Sequence, residues 1–382
     1  MWKLAEDTID QADLDALADW LRTGPRLTQG ELVREFERAW SKWLGVRQSV
    51  FVSSGTTANF ALVQAAAIRV ERSRPRVGVA AVTWSTNITP SLLLGHDVCV
   101  FDIDRRTLGV GESQVVAAMD EDRLDILFIT HLLGFDALTS AIVDAADRNG
   151  VILLEDCCES HGARHEDRHV GTVGLGSTFS FYFGHHMSTI EGGMISTDDA
   201  DLADDLRLLR AHGLARESSR FEDYAAAHPH LDPRFLFILP GLNFRSTELN
   251  AFLGLRQLRT LDERIGVRND NMLRFLERAP EFLWRDFETA GMSSFAFPIV
   301  ATDPALRPDI QRLTTDLGIE TRPVVAGNLL EQPFIEGFDV RTFDGPPSVA
   351  QHVHAAGLYA GNGHHVTTEM VDAMCDHLTR LG

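Results

Sequence analysis

Apolar and polar positions follow two different periods along the first 200 residues. Amphipathic helices are predicted at 10–23 and 31–43. Apolar runs rich in β-branched and aromatic residues then recur, separated by stretches with helical spacing, at 48–54, 76–84, 96–104, 124–134 and 151–160. Strands that alternate with helices predict an α/β fold with a mostly parallel sheet and helices on both faces. Two further strands, at 177–183 and 193–199, complete the series.

The pattern changes after residue 246. Residues 246–279 keep helical spacing without an interrupting proline, which predicts one long helix that bridges two domains. Beyond it, the segments FAFPIVA and IETRPVV and a final helix at 367–381 indicate a smaller α/β unit. We therefore predict a large domain at 1–260 and a small C-terminal domain at 261–382.

Charge and cysteine content narrow the class of protein. The 382 residues include 35 Lys and Arg against 55 Asp and Glu, so the formal net charge is −20. Such an acidic chain predicts no nucleic-acid partner and no anionic-membrane partner. The four cysteines form no CxxC motif, so we expect no metal site. With no signal-peptide pattern and no apolar run of membrane length, we expect a soluble cytoplasmic protein.

Two polar clusters lie where predicted strands end. The segment 53–57, Ser-Ser-Gly-Thr-Thr, joins a strand to a helix, and Gly55 and Thr56 would there offer backbone N–H groups to a phosphate; an ordinary capped helix start is the alternative. Asp156 ends a buried strand, where a carboxylate needs a cation or hydrogen-bond donors. A protonated pyridine nitrogen is one such partner, and a loop cap is another.

Histidines are harder to interpret from position alone. His185 and His186 are adjacent, so in extended chain only one of them faces a given cleft. A structural pair is the alternative to a catalytic one. The histidines in 161–169 are four residues apart, but the charged, turn-like sequence favours a solvated loop over a metal site. The glycine-rich run 171–176 is interpreted as a turn because it opens no predicted helix.

The order of these clusters resembles the DegT/StrS family of sugar aminotransferases, which are fold-type I enzymes that use pyridoxal 5′-phosphate (PLP). The resemblance covers nearly the whole chain. It rests on six segments: LTQGELVREFERAWSKWLGV (27–46), SSGTTAN (53–59), TWSTNITPSLLLGHDVCVFDID (83–104), LEDCCESHGA (154–163), RLLRAHGLAR (207–216) and LPGLNFRSTELNAFLGLRQL (239–258). It implies an aspartate aminotransferase-like fold and a homodimer whose active sites are shared between subunits.

The resemblance also assigns roles to individual residues. It implies that Asp156 pairs with the pyridine nitrogen, that Glu159 lies near the phenolic oxygen of the ring and that Trp84 stacks on the ring. Gly55, Thr56 and Ser180 would hold the cofactor phosphate, and Asn243 would reach a phosphate across the dimer interface. The candidate substrate-binding residues are Arg245, for an amino-acid carboxylate, together with His212 and Glu191.

One departure from the family pattern is informative. Family members read approximately SFxxxKxxTTGEGG, and this chain places His185 six residues before Glu191, where the family has its lysine. An imidazole has no primary amine, so the cofactor would be held noncovalently, most plausibly as pyridoxamine 5′-phosphate (PMP). Imidazole still moves protons. His186 is the second candidate, since the alignment can slip by one residue.

A histidine at this position resembles the sugar 3-dehydratases of the family, which remove the C3 hydroxyl of a nucleotide-linked 4-keto-6-deoxyhexose. Because no four cysteines are spaced to hold an iron–sulfur cluster, we expect the cluster-free kind, which resembles enzymes acting on GDP-4-keto-6-deoxymannose. Glutamate would regenerate PMP. The alternatives are a nucleotide-sugar 4-aminotransferase with a noncovalent cofactor, a cluster-dependent dehydratase and a non-catalytic ligand-binding member. The sequence leaves GDP, CDP and dTDP open.

Overall fold

The computed structural model describes residues 1–381. Its helices are α1 (Gln11–Arg22), α2 (Glu31–Leu44), α3 (Gly55–Ile68), α4 (Ser85–Leu93), α5 (Glu112–Asp120), α6 (Ser140–Asn149), α7 (Ala200–Arg210), α8 (Phe221–Ala227), α9 (Glu248–Gln257), α10 (Leu261–Arg278), α11 (Arg307–Asp316), α12 (Ser348–Ala356) and α13 (Thr368–Leu378). None of these helices is long and apolar enough to cross a membrane.

The strands form one large sheet and two small ones. They are β1 (Gln48–Val52), β2 (Arg76–Ala80), β3 (Asp97–Phe101), β4 (Ile126–Thr130), β5 (Ile152–Asp156), β6 (Arg164–His165), β7 (Arg168–His169), β8 (Gly176–Ser180), β9 (Gly193–Thr197), β10 (Ala296–Val300), β11 (Thr321–Pro323), β12 (Val340–Thr342) and β13 (Gly357–Gly361). The five strands predicted before residue 160 are all present, with bounds within a few residues of the pattern.

The large sheet has the order β1-β9-β8-β5-β4-β2-β3-β12. Strands β8, β5, β4, β2, β3 and β12 are parallel neighbours, whereas β9 runs antiparallel to both β8 and β1. The predicted mostly parallel sheet is therefore confirmed. Because the parallel strands share one direction, Thr130, Asp156 and Ser180 end at the same edge of the sheet, where such folds bind ligands.

The predicted long helix is interrupted. α9 ends at Gln257, a 3₁₀ turn covers 258–260, and α10 begins at Leu261. Thr260 leaves helical geometry with φ −112° and ψ 4°, and its hydroxyl donates to the carbonyl of Gln257. A threonine hydroxyl that bonds to the preceding turn competes with the helical backbone, and sequence periodicity does not register this local change.

The C-terminal part contains the three-stranded antiparallel sheet β10-β13-β11. α10 begins at Leu261, beside the predicted boundary at 260, but two segments cross that boundary. The N-terminal Trp2 pairs with Ile319 and donates its indole N–H to the carbonyl of Gly361. Strand β12 returns to the large sheet beside β3. The division into 1–260 and 261–382 stays a prediction.

Candidate active site

A cavity of about 1330 Å³ opens at the carboxyl edge of the large sheet. The strands of the large sheet contribute Thr130, Asp156 and Ser180 to its wall, and Ser54 joins them from the turn after β1. The C-terminal part contributes residues 320–326 and Tyr359, and the N-terminal segment 3–7 closes one side. The cavity therefore lies between the two parts of the chain. A volume of this size accommodates a cofactor together with a second ligand.

The turn between β1 and α3 forms a cradle at a helix N-terminus. Ser54 caps α3, accepting from the backbone N–H of Thr57, and the Thr57 hydroxyl reciprocally accepts the Ser54 N–H. A Cβ at Gly55 would lie 2.7 Å from the Cβ of Ser180. Glycine is required here because α3 begins directly against the end of β8. The backbone N–H groups at this helix start face the cavity as an anion site.

Asp156 is 3% exposed at the end of β5 and is held by three donors. Its Oδ2 accepts from the side-chain amides of Asn59 at 2.9 Å and Asn87 at 2.8 Å, and its Oδ1 accepts from the backbone N–H of Cys158 at 2.9 Å. A carboxylate offers about four acceptor positions, so Oδ1 keeps one position open in the cavity wall. This arrangement fixes an anion that lacks a cationic partner within the described residues.

Trp84 and Glu159 line the same cavity as Asp156. Trp84 precedes α4 and is 56% exposed, so one face of its indole is free to stack. Glu159 accepts the backbone N–H of Leu133 with one oxygen at 3.0 Å. Burial, with a smaller contribution from the nearby Asp156, raises the pKa of Glu159 to about 7. Glu159 can therefore carry a proton near neutral pH.

His185 lines the cavity with one ring nitrogen already engaged. Its Nδ1 hydrogen-bonds to the carbonyl oxygen of Cys158, so Nδ1 carries the proton and Nε2 keeps its lone pair. Burial lowers the pKa of His185 to about 4, and the positive charge of Arg268 acts in the same direction. The ring is therefore neutral at pH 7, with Nε2 open to accept a proton.

His186 lies behind this wall and does not line the cavity. It is fully buried, with Nε2 placed 3.2 Å from both the carbonyl and the hydroxyl oxygen of Ser293. Its ring centroid is 5.2 Å from that of His161, which is also fully buried. Of the adjacent pair, the structure brings His185 alone to the cofactor cradle.

The glycine-rich turn 171–176 binds a buried carboxylate. Glu155 accepts the backbone N–H groups of Gly171, Val173 and Gly174 at 2.6–2.9 Å, and its Oε2 lies 3.2 Å from Nε2 of His131. His131, Glu155 and Cys157 lie close enough together to hold a metal ion. However, the oxygen and nitrogen atoms of this cluster already form hydrogen bonds to backbone groups or to one another. We therefore interpret the cluster as structural.

Of the remaining predicted residues, some line the cavity and others do not. Glu191 lines the cavity with Gly55, Thr56 and Ser180. His212, Asn243 and Arg245 do not line it. His212 and Asn243 are exposed and Arg245 is half-buried, all on the connection between α7 and α9. Within one chain, these three side chains therefore do not meet the other candidate residues.

Several residues in the cavity wall or directly behind it carried no functional prediction. Asn59 and Asn87 lie near the starts of α3 and α4, and an amide in the first turns of a helix that follows a strand was the available signal. Arg322 and Lys3 are the two cations of the lining, and six carboxylates accompany them. Lysine occurs twice in the whole chain, at positions 3 and 42. Lys3 is largely exposed and lies 3.7 Å from Glu6.

The donor set of the cavity fits a pyridoxal-type cofactor. The cradle at Gly55 suits a phosphate, and the open position on Asp156 suits a protonated ring nitrogen. Trp84 offers a flat face. An anion site and a fixed carboxylate in one cavity match the phosphate and the ring nitrogen of such a molecule.

Comparison with known proteins agrees with this geometry. Residues 7–379 match the model of the DegT/DnrJ/EryC1/StrS aminotransferase family. A GDP-4-keto-6-deoxy-D-mannose 3-dehydratase of Yersinia pseudotuberculosis is 35% identical, covering 94% of this chain and 93% of that protein. One from Escherichia coli O55:H7 is 33% identical, covering 94% and 95%.

Solved structures give the same result. A GDP-4-keto-6-deoxymannose-3-dehydratase variant with bound GDP-perosamine superposes with a TM-score of 0.92 at 30% identity, covering 99% of this chain and 100% of that one. The same enzyme with a trapped PLP-glutamate geminal diamine gives 0.90 over the same share of both chains. The chain belongs to the DegT/DnrJ/EryC1/StrS aminotransferase family. Its fold is that of the fold-type I PLP-dependent enzymes, as predicted.

Proposed function

We propose that the protein is a PMP-dependent 3-dehydratase that removes the C3 hydroxyl of a nucleotide-linked 4-keto-6-deoxyhexose. GDP-4-keto-6-deoxymannose is the proposed substrate, and glutamate is the proposed amino donor that regenerates PMP. The relatives that are 33–35% identical carry this activity in their names. The observation that carries the proposal is the neutral imidazole of His185 in the cofactor cavity, at the position where the family has a lysine.

The site residues divide the tasks of holding the cofactor. Gly55, Thr56 and Ser180 hold the phosphate, Asp156 keeps the ring nitrogen protonated, and Trp84 covers the ring face. PMP, when bound, supplies a primary amine for the substrate ketone and a ring that stores an electron pair. Asn59 and Asn87 fix the Asp156 carboxylate, so its open lone pair is preoriented.

His185 handles the proton. Its Nδ1–H is tied to the carbonyl of Cys158, so Nε2 is the nitrogen that accepts a proton and later returns it to the departing C3 hydroxyl. Because no lysine stands at this position, the protein itself cannot form a Schiff base with the cofactor, which would therefore be held noncovalently. His186 faces Ser293 instead, and we assign it to packing behind the wall.

Glu159 is the second group that holds a proton in the cavity. Because its pKa is raised to about 7, it is partly protonated at neutral pH and donates a hydrogen bond where many family members have glutamine. Its other oxygen is occupied by the N–H of Leu133. With a pyridoxal-type cofactor bound, this carboxyl would serve as a hydrogen-bond donor to the phenolic oxygen of the ring.

A homodimer with shared active sites completes the substrate site. The cavity wall of one protomer carries six carboxylates and two cations, which is a poor surface for a diphosphate. The connection between α7 and α9 exposes Phe235 by 66% and Phe237 by 58%, a patch typical of an interface. Asn243 and Arg245 follow on the same connection. We propose that they, with His212, enter the partner's cavity.

The proposed location is the cytoplasm. All four cysteines are unpaired, and Cys157 and Cys375 are buried in the core as thiols. Free buried thiols are typical of a reducing compartment.

The test is to incubate the purified protein with PMP, glutamate and GDP-4-keto-6-deoxymannose, and to measure released ammonia and product mass. Ammonia together with a product one oxygen lighter supports the proposal. An amino sugar without ammonia would make the protein an aminotransferase. Turnover with the CDP or dTDP sugar alone would keep the chemistry and change the nucleotide.

A further inference from the structure

A second, smaller groove lies at the other end of β1 from the cofactor cradle. It encloses about 610 Å³ between α2 and α7, and its wall is drawn from residues 29–49 and 207–217. We call it the basic groove. Because β1 runs from Gln48 in this groove to Val52 beside the cradle, the two sites are separated by the length of the strand, roughly 17 Å.

The charge of the basic groove is opposite to that of the molecule. Seven arginine and lysine side chains line it, against two carboxylates, Glu37 and Glu217. The chain as a whole carries −20. Concentrating cations on one concave surface of an acidic protein costs repulsion among them, and a bound anion relieves that repulsion.

Several of these cations lack an acidic partner. Within residues 1–381, Lys42 and Arg47 form no ion pair, and Arg207 donates to the neutral amide of Gln48 at 2.6 Å. Arg210 is 4% exposed; it binds Glu37 and the carbonyl of Phe51, yet its buried Nε–H has no acceptor. A buried N–H without a partner points to a ligand that the site is built to receive.

The wall also indicates the chemistry of the ligand. Val46 is the apolar side chain among the residues that line the groove, so the wall offers no aromatic ring on which a base would stack. Guanidinium groups instead match the paired oxygens of phosphates. We propose that the basic groove binds a compact oligophosphate anion, with at least two phosphates, at a site separate from the catalytic cavity.

The test is calorimetric titration of inorganic pyrophosphate into the PMP-loaded protein at constant ionic strength. PMP occupies the phosphate cradle, so binding that persists reports on another site. The double variant Lys42→Gln/Arg47→Gln is expected to weaken pyrophosphate binding at least tenfold. Arg26→Gln/Arg259→Gln removes two exposed arginines outside the groove that form no ion pair within residues 1–381, and it is expected to leave the binding within twofold.

Three results would overturn the proposal. Equal binding to both double variants would show that the groove cations do not contact the anion. Loss of pyrophosphate binding on loading PMP would place the anion in the cradle. A change of the Lys42→Gln/Arg47→Gln variant to monomer, seen by light scattering, would make the groove a subunit interface. Both variants change exposed side chains, so unchanged melting temperatures will verify their folding.

Discussion

A single imidazole in the cavity has a defined tautomer because a neighbouring backbone group fixes it. Nδ1 of His185 bonds to the carbonyl of Cys158, two residues beyond Asp156, so the same short segment positions both the proposed base and the carboxylate proposed to bind the ring nitrogen. His186, one residue on, points into protein and not into the cavity. At this scale, function depends on which face of the chain a side chain occupies.

Replacing His185 by Asn should reduce dehydration about 100-fold or more, because acid–base catalysis typically contributes that much. The washout of deuterium from C4′ of bound PMP should fall in parallel, while PMP affinity stays near wild type. His186→Asn is the matched control, with a smaller loss in washout. A larger loss in His186→Asn would move the base by one residue.

The protonation of Glu159 predicts an alkaline limit to activity. Its pKa is raised to about 7, so the protonated form is lost as the pH rises through 7, and kcat should fall there. Glu159→Gln keeps a hydrogen-bond donor that does not titrate, so its profile should be flat between pH 6 and 8. If kcat of Glu159→Gln falls with rising pH as it does in wild type, the alkaline limit belongs to another group.

The same raised pKa predicts a stability effect of defined sign. Folding favours the protonated carboxyl, so this stabilisation is complete below the ordinary pKa of 4.5 and is lost as the pH rises through about 7. Denaturant unfolding of the cofactor-free protein should show a greater decline in stability between pH 5 and 8 for wild type than for Glu159→Gln. If the free energy of unfolding changes with pH in the same way in both proteins, the pKa of Glu159 is not raised by folding.

At the scale of elements, the proposed cofactor site lies where the ends of strands contact the first turns of helices. β1, β5 and β8 deliver the cradle, Asp156 and Ser180, while α3 and α4 deliver the two asparagines that hold Asp156. The antiparallel β9 separates β1 from β8 in the sheet. The start of α3 nevertheless touches the end of β8, and Gly55 is the residue that permits this approach.

Gly55→Ala should weaken PMP binding about tenfold or more, because its Cβ would meet Ser180 at 2.7 Å and one of the two elements must shift. Overpacking of this kind typically costs about 1–3 kcal/mol of unfolding free energy. Gly266→Ala in α10 is the control, since its Cβ would meet nothing within 4 Å. The control should be neutral or slightly stabilising. Equal PMP affinities, measured by fluorescence titration, would exclude Gly55 from the cradle.

At the scale of the whole molecule, the cavity of one protomer lacks some of the side chains that we expect at the site. Its cavity is acidic, and the residues expected at a phosphate and a carboxylate, Asn243 and Arg245, lie on the connection between α7 and α9 and do not line the cavity. A second copy of the chain supplies the missing groups in the proposed dimer. The N-terminal Trp2 and strand β12 tie the two parts of each chain together around the cavity.

Mixing two impaired variants tests this arrangement. If Asn243 serves the partner's site, equal amounts of His185→Asn and Asn243→Ala, unfolded and refolded together, should regain about one quarter of wild-type activity. Half the dimers are then mixed, and each has one intact site of two. Wild type refolded alone sets the reference. No recovery, with mixed dimers verified by mass, would place Asn243 at its own site.

The sequence by itself determined the strands, most helices and the parallel sheet, because periodicity records which face of each element is buried. Its resemblance to the family motif also singled out His185, since the spacing to Glu191 on which that resemblance rests is local. Only the tertiary structure decided that Asn59 and Asn87 clamp Asp156, that Thr260 interrupts the long helix and that β12 rejoins the large sheet. The contacts of Asp156 and of β12 join residues far apart in the chain and depend on strand order and packing, which no local pattern encodes. The break at Thr260 is local, but the periodicity of apolar positions does not register it.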